Sequence, residues 1–140
     1  ADGRARINLS VFQNEIEGMQ RETNVPEPGA GVQQVIVNAG DATIVGAELE
    51  ARFSLTENFL ISMQAGYTDG EYDRVTADLN GDTLVTAADA DLEIPRLAPW
   101  TYGVNLIYDL PIFDGNLSTR VGYNHRDAAF YTDNNRGTLA

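Results

Sequence analysis

The feature that most constrains this chain is an alternation of apolar and polar residues with period two, kept up over five stretches. Only an extended backbone sends successive side chains to opposite faces in this way. In the first stretch Ala5, Ile7, Leu9 and Val11 share one face, and Arg6, Asn8 and Ser10 share the other. The second sets Val45, Ala47, Leu49, Ala51, Phe53 and Leu55 against Gly46, Glu48, Glu50, Arg52 and Ser54. The third opposes Phe59, Ile61, Met63, Ala65 and Tyr67 to Leu60, Ser62, Gln64, Gly66 and Thr68. The fourth has Trp100, Tyr102, Val104, Leu106, Tyr108 and Leu110 on one face, with Thr101, Gly103, Asn105, Ile107 and Asp109 on the other. In the fifth, Leu117, Thr119, Val121 and Tyr123 face away from Ser118, Arg120, Gly122, Asn124 and Arg126. The pattern predicts an all-β fold, an antiparallel up-and-down meander of long strands near 4–18, 36–55, 58–73, 98–110 and 116–130. Each strand exceeds the roughly 5–6 residues usual in soluble sheets.

The connections alternate in length. Thr56-Glu57-Asn58 and Pro111-Ile112-Phe113-Asp114-Gly115 are tight, whereas Met19 to Gln34, Arg74 to Leu97 and the residues from Asp127 onward form long polar stretches. Short turns would gather at one end of the sheet and long loops at the other, an asymmetry that outer-membrane barrels show. Tyr67 and Tyr72, with Trp100 and Tyr102, are placed to form an aromatic girdle at one membrane interface. A soluble antiparallel sheet with one wet face gives the same period, so a second sheet remains the alternative cover for the apolar face.

The chain has 140 residues, enough for one domain, and it starts at Ala1 without methionine, as expected for a piece of something larger. No run approaches the ~18 apolar residues of a spanning helix, which leaves a strand-built span open. Twenty-one acidic groups stand against nine basic ones, all arginine, and no basic stripe is interleaved with aromatics. Nucleic acid is therefore not an expected partner. Cysteine is absent, so neither a disulfide frame nor a thiolate metal site is available.

Eight of the carboxylates (Asp69, Glu71, Asp73, Asp78, Asp82, Asp89, Asp91 and Glu93) fall within 25 residues. Inside that run, Asp78 to Asp89 carries the ligand spacing of a twelve-residue calcium loop. Oxygens at the first, third, fifth, seventh, ninth and twelfth positions would come from Asp78, Asn80, Asp82, the Leu84 carbonyl, Thr86 and Asp89. Thr83 stands where glycine usually makes the sharp turn, and a β-branched residue at positive φ costs on the order of 1–2 kcal/mol. The last ligand is aspartate and not the longer, bidentate glutamate. Calcium is thus expected to bind weakly, nearer ~10⁻⁴ M than the submicromolar range of sensors. The Asp-x-Asn-Gly-Asp start and the terminal aspartate resemble one dockerin repeat, although only one such repeat is present. An acidic turn that needs no metal is the simpler alternative. Thr86 is placed to cap a short helix within this long loop, which Pro95 would end before the next strand.

Three further passages resemble the carboxy-terminal part of a TonB-dependent outer-membrane receptor barrel. They are Arg4 to Phe12 running into Ile16 to Gln20; Asn38-Ala39-Gly40 with Val45-Gly46-Ala47-Glu48-Leu49-Glu50; and Ile94 to Trp100. The resemblance covers nearly the whole chain. It implies a 22-stranded barrel closed around a plug, of which this chain supplies about five strands, in the outer membrane of a bacterial cell. It also implies import of a scarce ligand such as an iron chelate, cobalamin or a saccharide. The partners would be outer-membrane lipid, the remaining strands and plug of the parent chain, and TonB through parts not visible here. Glu48, Glu50, Arg52, Asp109, Arg120 and Arg126 would face the lumen as a hydrated wall of mixed sign.

No catalytic constellation emerges, and an enzyme is not expected. His125 is the only histidine and reads as a surface or lumen residue, while Glu48 and Glu50 stand beside Arg52, which suggests ion pairing. The competing reading is a soluble secreted β domain that uses the acidic loop for calcium-dependent adhesion or module docking. An isolated five-stranded piece could not close a barrel, so its unpaired edges would favour association with a second copy.

Overall fold

Five strands pair in the order in which the chain makes them: β1 (Ala5–Glu27), β2 (Gly31–Ser54), β3 (Phe59–Val75), β4 (Trp100–Ile112) and β5 (Gly115–Arg126). The computed structural model describes residues 3–27, 29 and 31–139. The described pairings are antiparallel, and their register keeps the two faces apart. Ile61 lies opposite Leu106, which lies opposite Val121; Ser62 lies opposite Asn105, which lies opposite Gly122. A slip of one residue would turn every apolar side chain to the wet face, so the alternation itself holds this register. The sheet is the antiparallel meander expected, with one short helix, α1 (Ala87–Ala90), in the β3–β4 connection.

The strands depart from their expected bounds in two places. β1 and β2 contain 23 and 24 residues and run through the polar stretch from Met19 toward Gln34, where a long loop was expected. A two-stranded ladder satisfies its backbone groups whatever its side chains are, so polarity alone does not end a strand. β5 stops at Arg126, and Ala129–Phe130 form a separate strand, β6, paired with β7 (Thr138–Leu139).

The residues divide into two compact units. The sheet unit comprises Ala1–Phe12, Gly46–Thr68 and Ala98–Asp127. It includes both tight turns: residues 55–58, where Leu55 N donates to the Phe59 carbonyl at 2.9 Å, and the two-residue turn at Phe113 and Asp114, with Phe113 at φ +48°. Its apolar face is largely uncovered. Leu9 is 72% exposed, Val121 60% and Leu117 49%.

The loop unit comprises Gln13–Val45, Asp69–Leu97 and Ala128–Ala140, and it has its own core. Ala39, Ala42, Tyr72, Leu79 and Ile94 are buried, with Met19, Ile44, Val75, Ala90 and Leu97 packed against them. Tyr72 therefore belongs to this core and not to an aromatic girdle, because its ring is buried among Ala39, Ala42, Leu79 and Ile94. The Asn38-Ala39-Gly40 passage earns its composition here. Gly40, at φ +154°, lies so close to the Arg74 carbonyl that a Cβ would overlap it. Thr76 N donates to the Ala39 carbonyl at 2.7 Å, and Thr76 Oγ1 to the Asn38 carbonyl at 2.8 Å.

Candidate functional site

Two places concentrate polar chemistry: the wet face of the sheet unit and the acidic loop of the loop unit. On the first, strand parity brings Glu48, Glu50, Gln64, Thr101, Asn124 and Arg126 around one shallow recess. Glu48 accepts from Ser10 Oγ at 3.4 Å and Glu50 from Asn8 Nδ2 at 3.3 Å. Among the described residues no ion pair joins either to Arg52, so the expected pairing along β2 is replaced by neutral partners across the ladder. The reason is geometric, since directly opposed side chains on neighbouring strands are closer than those two apart on one strand. Gly103 and Gly122 leave space that neighbouring amides fill: a Cβ on Gly103 would collide with Asn124 Oδ1, and one on Gly122 would lie 2.7 Å from Asn105 Oδ1. The wet face is therefore lined by carboxamides and glycine, with charges of both signs around them.

His125 falls on the apolar face, opposite Tyr102 in the register, and not on the wet face. Its ring lies 4.8 Å from that of Tyr102, and Nε2 is 2.9 Å from Asp127 Oδ1. Tyr67 and Trp100, also directly opposed, have ring centroids 4.9 Å apart. Aromatic and hydrogen-bonding groups thus gather where β3, β4 and β5 leave the apolar stretch, as at a lipid–water boundary.

The acidic loop is folded by its own side chains. Asp78 Oδ1 accepts from Gly81 N at 2.7 Å, and Oδ2 from Thr83 N at 2.7 Å. Asn80 Oδ1 accepts from Asp82 N and Asp82 Oδ1 from Leu84 N, each at 2.8 Å. Thr83 adopts φ +74°, so the sixth position does make the sharp turn despite its β-branch. Thr86 caps α1 as its spacing implied, accepting from Ala88 N, and Asp89 returns the bond to Thr86 N at 2.8 Å.

Asp89 is engaged by the loop's own donors. It is fully buried, and its Oδ1 accepts from Leu79 N at 2.9 Å and Asn80 N at 3.0 Å. Oδ2 takes Thr86 N and, at 3.5 Å, Thr86 Oγ1. A carboxylate offers about four lone-pair positions, and here all have donors. Burial pushes the Asp89 carboxyl up, but the N–H bonds from Thr86, Asn80 and Leu79 outweigh it and hold the group below the usual carboxylate range. Among the described residues no three His, Cys, Asp or Glu side chains converge in a way that would hold a metal ion. The six candidate ligands share one loop, where the side-chain oxygens of Asp78, Asn80, Asp82, Thr86 and Asp89 accept from its own backbone N–H groups.

Sequence reasoning missed this closing role of Asp89, although the Thr-x-x-Asp spacing at Thr86 carried its signal. It also missed Asn135, which grips the backbone of Glu93 from 42 positions away. No local pattern marks such a contact.

No curated protein and no solved structure matches the chain significantly. The family described as TonB dependent receptor-like, beta-barrel matches residues 1–139. With an ordered meander, one uncovered apolar face and one wet face already in hand, that match is decisive: the chain belongs to the TonB-dependent receptor-like β-barrel family, a family of outer-membrane transporters and not of enzymes.

Proposed function

We propose that this chain supplies part of the wall and the outer loops of a receptor that imports a scarce ligand, an iron chelate, cobalamin or a saccharide, across the bacterial outer membrane. The observation that carries this reading is the apolar face of the sheet unit, where Met63, Tyr108, Leu117 and Val121 are exposed in register and Leu9 is exposed on β1. Lipid is the cover that such a band needs, while the amide-lined face meets a hydrated lumen. Each of the five strands has at least 12 residues, above the roughly 9–11 that a tilted strand needs to span a bilayer. The loop unit has a composition suited to water, with 14 of the 21 carboxylates but only four of the nine arginines. Lipid, the remaining barrel strands, the plug and TonB are the partners of this reading. Fractionation of cells that express the full-length parent should place it in the outer-membrane pellet, released only by detergent. Recovery in the soluble fraction without detergent would overturn the proposal.

A second reading concerns the acidic loop: a calcium ion held by Asp78, Asn80, Asp82, the Leu84 carbonyl, Thr86 and Asp89 would staple it. The positive φ of Thr83 at the turn position favours this reading. Binding would require Asp89 to give up backbone donors, so the affinity would be weak, on the order of 10⁻⁴ M. Calorimetry with millimolar calcium is expected to register heat that Asp78→Ala abolishes. An unchanged baseline would leave the loop held by its own hydrogen bonds.

A further inference from the structure

Two segments distant in sequence, 76–97 and 129–139, are joined in the loop unit by contacts of backbone quality. Glu93 N donates to Asn135 Oδ1 at 2.8 Å, and Asn135 Nδ2 donates to the Glu93 carbonyl at 2.9 Å. One side-chain amide thereby satisfies both polar groups of one residue, as a neighbouring strand would. Asn135 reaches this position from φ +52°, a conformation that asparagine tolerates better than most residues. Three positions past Glu93, Arg96 N donates to the Phe130 carbonyl at 2.7 Å, and its guanidinium lies 4.9 Å from the centre of the Tyr131 ring. The second segment is itself closed, because Tyr131 N donates to the Gly137 carbonyl at 3.0 Å and β6 pairs with β7. Its turn is tied to β1 by Asp133, whose Oδ1 lies 3.1 Å from Arg21 Nε. That approach is an ion pair and not a hydrogen bond, since the Nε–H is not aligned with the carboxylate.

We propose that residues 129–139 form a strap, with Asn135 as its latch, that holds the β3–β4 connection as one cooperative body. Leu79 and Ile94 anchor the connection in the core, and the added clamp at Glu93 and Arg96 couples its local opening to release of the strap. The latch requires a side chain with both donor and acceptor at this reach. Aspartate keeps the acceptor for Glu93 N but offers no donor to the Glu93 carbonyl. The claim stands on these contacts and is independent of the ligand transported.

Hydrogen exchange read by mass spectrometry on the full-length receptor in detergent micelles tests it. Asn135→Ala should speed exchange about tenfold, from the loss of two hydrogen bonds, in peptides covering 78–97 and 129–139 alike. Asn135→Asp should give an intermediate effect in both, and peptides from 101–126 should be unchanged, which separates release of the latch from a folding defect. Faster exchange confined to 129–139, or no change in either segment, would show that the connection is held without the strap.

Discussion

At the scale of single residues, Asp89 shows how one carboxylate organises a loop. It is buried, and three backbone N–H groups, those of Leu79, Asn80 and Thr86, depend on it. Asp89→Ala would leave these donors without a partner, and the loop should lose about 2–3 kcal/mol of local stability, read as faster exchange of the Asn80 and Thr86 amides. The carboxyl is held below its usual range, so its native pKa lies under the unfolded value of about 3.9. Its contribution is therefore complete above the unfolded value and is lost as pH falls through the lowered native one. Loop order monitored by NMR should be level from neutral pH to about 4 and decline below that. Unchanged order down to pH 2 would remove Asp89 from this role. Thr83 supplies the opposite case: it holds φ +74° against the preference of a β-branched residue. Thr83→Gly is expected to steady the loop by about 1 kcal/mol, even though glycine raises the entropy of the unfolded chain.

At the scale of elements, each strand has two faces of opposite polarity, and the register shows which residue lies on which. Val121 sits on the apolar face opposite Leu106, and its neighbour Arg120 sits on the wet face opposite Ile107. An arginine in the lipid-facing band costs about 2–4 kcal/mol near the middle of the bilayer, whereas the lumen accepts charge. Val121→Arg should accordingly lower the yield of assembled, heat-resistant receptor on gels, while Ser118→Arg on the wet face should assemble as the parent does. Equal behaviour of the two variants would mean that the apolar face meets something other than lipid. The glycines on the wet face are part of the same division of labour, because Gly103 and Gly122 admit the Asn124 and Asn105 amides that line it.

At the scale of the whole molecule, β1 and β5 are the two edges of the five-stranded sheet, and among the described residues no further strand of that sheet pairs with their outer sides. Within a barrel, neighbouring strands pair with those sides. The 140-residue chain produced alone should associate through its edges, and sedimentation at rising concentration should show species larger than a monomer. A monomer at all concentrations would require a fold that closes on itself. The alternation of Ile61, Leu106 and Val121 with Ser62, Asn105 and Gly122 was enough to define strands, faces and an ordered meander, because period two is a local property of the backbone. The Thr86 cap and the sharp turn at Thr83 were readable for the same reason: both depend on residues within a few positions of each other. The extension of β1 to Glu27, the burial of Tyr72, the commitment of Asp89 to backbone donors and the Asn135 latch were decided only by tertiary structure. Each depends on a partner brought near by the fold, and polar side chains of one type serve equally as metal ligands, caps or clasps until that partner is in place.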